Sequence, residues 1–151
     1  FFLFGAVIPV GVKQYHVFQI KLDWFAAYDY CHEKGMQLAT IRSENESNST
    51  VEYLEQSNVC YEMYGACGFW LGANNLAEDG IFRWLPDQEK MSYSRWMDGE
   101  PNNAYKSENC VELVYVLNDP MRNWTWNDND CKSGKFIVLC ESTSSTEKQA
   151  E

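Results

Sequence analysis

Two stretches in the first third of the chain repeat apolar residues at the spacing of an α-helix. In the first, Asp23 precedes apolar residues at i, i+3, i+4 and i+7, and Gly35 follows them. Because Asp is a favoured N-cap and Gly is favoured just beyond a helix end, these two residues predict the limits of a helix. Its core-facing stripe consists of Trp24, Ala27, Tyr28 and Cys31.

The second helix is marked by its beginning. Ser43 and Glu46 have the spacing of a capping box, in which the two residues satisfy each other's backbone donors. Val51 and Leu54 follow on one face of the same segment. Both predicted helices therefore come early in the chain.

Beyond Gln56 the pattern changes to short aromatic and β-branched runs separated by Gly, Pro, Asn and Asp. Such runs predict the strands of an antiparallel sheet region. They cover residues 69–73, 82–85, 111–117, 124–126 and 136–140. Residues 86–109 contain few strand-forming residues, which predicts a long loop, and a long loop in a compact domain usually carries function.

The two ends of the chain differ from its middle. Residues 1–12 are apolar with no basic region before them, and they fall far short of the roughly 20 residues that a spanning helix needs. We expect no membrane insertion. An edge strand is favoured over an extension or the end of a signal peptide's apolar region. Residues 143–151 are polar and predict a mobile tail.

Composition limits the architecture and the partners. The 151 residues, 45% of them hydrophobic, suffice for one packed core and are too few for two ordinary domains. The formal net charge of −10 disfavours nucleic acid and anionic membranes and makes cations the natural partners.

The cysteines and sequons indicate the compartment. Six cysteines form an even set without tight C-x-x-C pairs, which favours disulfides over a zinc site. Three glycosylation sequons begin at Asn45, Asn48 and Asn123. Because disulfides and N-linked glycans both belong to the secretory pathway, we expect a secreted, extracellular protein.

Carboxylate and amide side chains gather in the long loop and after the next aromatic run. The loop contains Glu100-Pro101-Asn102 and Glu108, and the run ends in Trp126-Asn127-Asp128. Ca²⁺ takes about six to eight oxygen ligands and favours this mixture, whereas Mg²⁺ prefers fewer protein ligands and keeps its waters. The predicted Ca²⁺ ligands are Glu100, Asn102, Glu108, Asn127 and Asp128. A cis bond before Pro101 would aim its two neighbours at one point.

Taken in order, these features resemble the C-type lectin-like domain over residues 13–142. They are Cys31, Trp70-Leu71-Gly72, Glu100-Pro101-Asn102, Cys110, Trp126-Asn127-Asp128, Cys131 and Cys140. The resemblance implies an α+β fold in which two helices flank small antiparallel sheets beside a long calcium-binding loop. It also implies the disulfides Cys31–Cys140 and Cys110–Cys131, which leaves Cys60–Cys67 as a local bridge or, as an alternative, two cysteines for an intermolecular link.

The same resemblance implies a sugar specificity. In the family, Glu-Pro-Asn accompanies mannose, fucose and N-acetylglucosamine, and Gln-Pro-Asp accompanies galactose. Two vicinal sugar hydroxyls would each bind Ca²⁺, donate to a Glu carboxylate and accept from an Asn amide. The five predicted ligands are thus also the expected sugar-binding residues. The expected partners are mannose-type glycans on glycoproteins or microbial surfaces.

Family members often hold a second, accessory calcium ion. The positions that correspond to it here are Asn75, Asp79, Asn103 and Asn109, of which only Asp79 is charged. Fewer carboxylates lower the affinity for a dication, so we expect this second site to be weak or empty.

Two other classes of function compete with a lectin. A calcium-independent protein-binding module of the same fold is the alternative, although it gives the three carboxylates no reason to lie together. A glycosidase is disfavoured because its acid needs a raised pKa in a closed cleft, so we expect no enzyme. No heptad or collagen-like repeat provides a stalk, and avidity would require an oligomer or a partner chain.

Overall fold

A computed structural model of the chain describes residues 11–62, 64–85 and 87–143. The predictions for the apolar segment 1–12 and the tail 143–151 therefore fall almost entirely outside the described residues. The helices are α1 (Trp24–Glu33), α2 (Glu44–Ser57) and α3 (Val59–Glu62). The strands are β1 (Lys13–Leu22), β2 (Gln37–Leu38), β3 (Ala66–Asn74), β4 (Arg83–Trp84), β5 (Glu108–Val116), β6 (Asn123–Asp130) and β7 (Phe136–Thr143).

The first predicted helix forms within its predicted limits. The Asp23 side chain accepts a hydrogen bond from the Ala26 backbone N–H at 2.9 Å, and Gly35 follows the helix with a φ of +70°. A left-handed φ costs glycine little, so the chain can turn there. Trp24, Ala27 and Cys31 are buried and Tyr28 is half-buried, so three of the four predicted core-facing residues are confirmed as core.

The second helix shows only half of its predicted capping box. The Ser43 hydroxyl accepts from the Glu46 backbone N–H at 3.2 Å. The Glu46 carboxylate accepts from Arg42 N–H at 2.7 Å and from Lys13 Nζ at 3.0 Å. The predicted hydrogen bond from Ser43 N–H to Glu46 was therefore wrong, because the donor is the preceding residue. The cap thereby ties α2 to β1.

The α+β fold is confirmed, with one helix and several pairings that the sequence did not indicate. Five strands follow the order β1-β7-β3-β5-β6, while β2 pairs with β7 and β4 with β3. β3 and β7 pair in parallel at Phe69 and Ile137. The expected small antiparallel sheets are thus connected into one mixed, seven-stranded sheet.

Two predicted strands are longer than expected at their carboxyl ends. β6 continues from Trp126 to Asp130, and β7 continues to Thr143. Polar residues have low strand propensity, but here pairing supplies their backbone bonds: Asp128 faces Val111 on β5, and Ser142 faces Gln14 on β1.

Three disulfides brace the fold, and their pairing matches the one that the resemblance implied. Cys31–Cys140 joins α1 to β7, and Cys60–Cys67 closes a short loop between α3 and β3. Cys110–Cys131 joins β5 to the residue that follows β6, with the Cα atoms 5.3 Å apart. This last bridge lies two residues from Glu108 and three from Asp128.

Within the described ranges, none of the helices is both long enough and apolar enough to cross a membrane.

Candidate calcium and sugar site

The long loop is fastened to β6 at Trp126. This tryptophan is completely buried, and the rings of Trp84, Tyr93 and Trp96 pack edge-on against it. Its backbone N–H donates to the Arg95 carbonyl at 2.8 Å, and its carbonyl accepts from Met97 N–H at 2.9 Å. The loop therefore runs beside the strand just before Asn127 and Asp128.

Three carboxylates converge where the loop meets the sheet. One oxygen from each of Glu100, Glu108 and Asp128 lies within 4.8 Å of the others. Asp128 is buried, and both glutamates are half-buried. Residues that are up to 28 positions apart in sequence thus form one acidic cluster at the start of β5 and near the end of β6.

Asp128 holds the Glu-Pro-Asn turn in place through the backbone. Its Oδ1 accepts from Asn102 N–H at 3.1 Å, and its Oδ2 accepts from Asn103 N–H at 2.7 Å. The peptide bond between Glu100 and Pro101 is cis, as the sequence led us to expect. Each oxygen of Asp128 keeps a lone pair for a further partner.

The side chains of the turn are already oriented by one another. Asn102 Nδ2 donates to Glu100 Oε1 at 3.2 Å, and Asn102 Oδ1 accepts from Ala104 N–H at 3.0 Å. Glu108 Oε2 accepts from the same Ala104 N–H at 3.0 Å. The cluster thus presents acceptors at Glu100 and Glu108 and a donor at Asn102.

Burial and neighbouring negative charge both raise the pKa values of the two glutamates in the cluster. Burial and the adjacent Asp128 carboxylate raise the pKa of Glu100 to about 7. Burial also raises the pKa of Glu108, with Asp128 and Asp130 acting in the same direction. A cation in the cluster would oppose both effects and favour the ionised carboxylates.

Asn127 stands apart from the other four predicted ligands. Its Nδ2 donates to Glu112 Oε2 at 3.5 Å, and Asn129 Nδ2 donates to the same oxygen at 3.2 Å. The described hydrogen bonds do not tie its side chain to the acidic cluster, although it precedes Asp128 directly in β6.

Glu112 is a polar residue of this region that the sequence reasoning missed. It is 6% exposed, and burial raises its pKa to about 7 against the lowering effect of the two amides. A Cβ at Gly68 would collide with its carboxylate, so the glycine makes room for it. The available signal was a single carboxylate between Val111 and Leu113 inside an apolar strand.

The positions expected for an accessory calcium ion do come together. Asn75, Asp79, Asn103 and Asn109 line one cavity of about 460 Å³, and Lys106 lines it as well. A single carboxylate beside an ammonium group is a poor donor set for a second dication, so these residues do not fit that ion.

The Asn123 sequon lies away from the cluster. Asn123 begins β6 and Asp128 lies five residues along it, a separation of roughly 16 Å at the rise of a strand. The first residue of the sequon and the acidic cluster therefore lie at opposite ends of β6.

Known proteins similar to this chain include a family whose domain matches most of its length. The family model for the Lectin C-type domain matches residues 20–142. The chain belongs to the C-type lectin family. The matched C-type lectin segment contains the acidic cluster, the Glu-Pro-Asn turn and all three disulfides.

Relatives of this C-type lectin domain include proteins from mosquitoes. It is 30% identical over 136 residues to the C-type lectin mosGCTL-7 of Aedes aegypti, covering 89% of this chain and 86% of that one. It is 33% identical over 118 residues to Salivary C-type lectin 2 of Aedes albopictus, covering 78% and 76%.

A solved structure shows the same fold. The carbohydrate-recognition domain of cow CD23, determined in the presence of a GlcNAc2Man3 oligosaccharide, superposes with a TM-score of 0.70 at 27% identity. The match covers 93% of this chain and 95% of that one.

Proposed function

We propose that residues 13–142 form a carbohydrate-recognition domain that binds mannose-type sugars through one calcium ion. The observation that carries the proposal is the convergence of Glu100, Glu108 and Asp128 within 4.8 Å. Membership of the C-type lectin family supports carbohydrate recognition, and C-type lectin domains typically bind Ca²⁺. Binding, rather than catalysis, is the proposed activity.

The donor set fits calcium. Three carboxylates supply negative charge, and amide oxygens of Asn102 and Asn127 supply neutral ligands, which is the mixture this hard cation prefers. Burial, together with the neighbouring Asp128 carboxylate, raises the pKa values of Glu100 and Glu108, and a bound dication would oppose both effects. When bound, the ion would take two sugar hydroxyl oxygens as ligands.

The proposed mannose-type preference rests on the resemblance of the Glu-Pro-Asn turn to that of mannose-binding family members, and the order of donor and acceptor groups is consistent with it. Glu100 and Glu108 only accept, so each would take the proton of a sugar hydroxyl. Asn102 donates from Nδ2, which now points to Glu100 Oε1 at 3.2 Å and would turn toward a hydroxyl oxygen. Asn127 would contribute a second donor through a change of partner from Glu112.

The biological setting proposed here is extracellular. Three disulfides suit an oxidising compartment, and one similar protein is named as salivary. Contact with two hydroxyls of one sugar buries little area, so each site binds weakly. Clustering of domains, or of glycans on a target surface, would supply avidity.

We expect the wild-type protein to bind one Ca²⁺ per chain, with an affinity that falls as the pH drops below about 7. Glu100 has a pKa of about 7, and the pKa of Glu108 is also raised, so the ion must displace protons at acid pH. Each displaced proton lowers the apparent affinity about tenfold per pH unit below its pKa. Calorimetric titration in buffers of different ionisation enthalpy measures both affinity and proton release.

Without calcium, we expect the stability of the folded protein to decrease as the pH rises, whereas calcium affinity increases. Glu100 and Glu112 bind protons more tightly in the folded protein than in the unfolded chain, whose Glu groups have the ordinary value of 4.5. The contribution of these two groups to the free energy of unfolding is complete below pH 4.5 and is lost as the pH rises through about 7.

The sugar enters the same titration as a linked ligand. Methyl α-mannoside should tighten calcium binding, and methyl α-galactoside should do so much less. The reason is that only the favoured sugar completes the coordination shell of the calcium ion. A calcium affinity that is equal at about pH 7.5 and 5.5 would contradict the cluster as the site. Tightening by the galactoside alone would contradict the specificity.

A further inference from the structure

A second cavity lies at the far end of the sheet from the acidic cluster. Its volume is about 690 Å³, within the range of small-molecule sites. Tyr115, which lines it, is seven residues along β5 from Glu108, so roughly 23 Å separates the two regions. The cavity is therefore independent of the proposed sugar site.

Four of the ten described residues that line this cavity are aromatic. Tyr115 and Trp124 are stacked with their ring centroids 4.7 Å apart and their planes at 25°. Tyr61 and Tyr64 line the same space and are 86% and 100% exposed. Large aromatic rings bind partners well and are rarely left this open around one cavity.

Tyr61 lies on α3, and Tyr64 lies in the turn just before β3. The Cys60–Cys67 disulfide brackets both of them. Gly65 N–H donates to the Cys60 carbonyl at 2.8 Å, and Leu117 N–H donates to the Gly65 carbonyl at 2.6 Å. Gly65 is thus held to both Cys60 and Leu117, and this constraint lowers the entropy that the neighbouring tyrosines would lose on binding.

Charge decides which ligand suits the aromatic walls. The described residues that line the cavity include one carboxylate, Glu55, and no Lys, Arg or His. Aromatic faces carry negative potential and attract ammonium groups, and the chain as a whole has a net charge of −10. An anionic ligand would meet repulsion, and a cation would meet rings and a carboxylate together.

We propose that this cavity binds a small organic cation, in which an ammonium group is attached to an aromatic or alkyl body. The body packs on the stacked pair of Tyr115 and Trp124. The ammonium group lies against the ring faces of Tyr61 and Tyr64 and is neutralised by Glu55.

Three probes of nearly equal shape separate the contributions. They are 2-phenylethylammonium, 2-phenylethanol and phenylacetate, titrated into the full chain in EDTA, so that the calcium site takes no part. We expect saturable binding of the ammonium probe about tenfold tighter than the alcohol, with phenylacetate weakest. Quenching of tryptophan fluorescence or calorimetry gives the affinities.

Exposed residues allow variants that leave the core intact. Tyr64→Ala should weaken the ammonium probe about fivefold, and Glu55→Gln should reduce the preference for the ammonium probe over the alcohol to about threefold. The matched controls are Tyr105→Ala, which removes a tyrosine that is 99% exposed elsewhere, and Glu52→Gln on the same helix as Glu55. Both controls should bind as wild type does.

The proposal fails if the ammonium probe shows no saturable binding at millimolar concentrations. It also fails if the three probes bind equally, or if Glu55→Gln leaves the preference for the cation unchanged. Because all titrations contain EDTA, none of these three results depends on the sugar site. Mannose binding in the presence of calcium tests the proposed function separately.

Discussion

Replacing Asp128 by asparagine should abolish calcium-dependent sugar binding. Both oxygens of this buried carboxylate accept backbone N–H bonds, from Asn102 and Asn103. An amide would remove one negative charge from the cluster and set an NH₂ donor against a backbone donor. We expect calcium affinity to fall about 100-fold or more, because a ligand and the support of the Glu-Pro-Asn turn are lost together.

Asp98→Asn is the matched control for this substitution. Asp98 is exposed in the same loop, so the control makes the same change of charge without touching the cluster. It should keep the wild-type calcium affinity to within about twofold. Near-ultraviolet circular dichroism in EDTA would establish that both variants are folded. Normal calcium binding by folded Asp128→Asn would exclude Asp128 as a ligand.

The second large effect concerns which sugar binds. Exchanging Glu100→Gln together with Asn102→Asp should reverse the preference from mannose toward galactose. The two side chains now form one contact, in which Asn102 Nδ2 donates to Glu100 Oε1. The exchange keeps that contact with its direction reversed, because the glutamine amide at position 100 would donate and the aspartate at position 102 would accept. For the sugar hydroxyls, position 100 would therefore become a hydrogen-bond donor and position 102 an acceptor.

The double variant should still bind calcium, because it keeps three carboxylates in the cluster. An aspartate at position 102 can still accept the Ala104 N–H that Asn102 accepts now. Calcium affinity should change little, while the mannoside-to-galactoside affinity ratio should fall about tenfold or more. Glu100→Gln alone leaves two carboxylates and should weaken calcium binding itself. A double variant that binds calcium and still prefers mannose by the wild-type ratio would contradict this account of specificity.

The first two helices and the clustered carboxylates were predictable from the sequence because their signals are local. Asp23 and Gly35 limit α1, and the spacing from Trp24 to Cys31 gives its buried face. Glu100, Glu108 and Asp128 could be identified from residue type and motif, and their convergence through the Cys110–Cys131 bridge followed from the resemblance. These features need only a few neighbouring residues to be recognised.

Other features depend on contacts between distant segments and left little trace in the sequence. α3 has four residues, too few for a helical period to show. The parallel contact of Phe69 with Ile137 depends on how the sheet closes. Glu112 alternates with Val111 and Leu113, which suggests solvent exposure, yet it is buried beside Asn127 and Asn129.

The most direct test of the central claim is capture of the protein on immobilised mannan, first with calcium and then with excess EDTA. Free methyl α-mannoside and methyl α-galactoside serve as competitors. The account predicts capture that requires calcium, is released by EDTA and is competed better by the mannoside. Capture that persists undiminished in EDTA, or no capture at any calcium concentration, would contradict it, and the second result would favour a calcium-independent protein-binding module of the same fold.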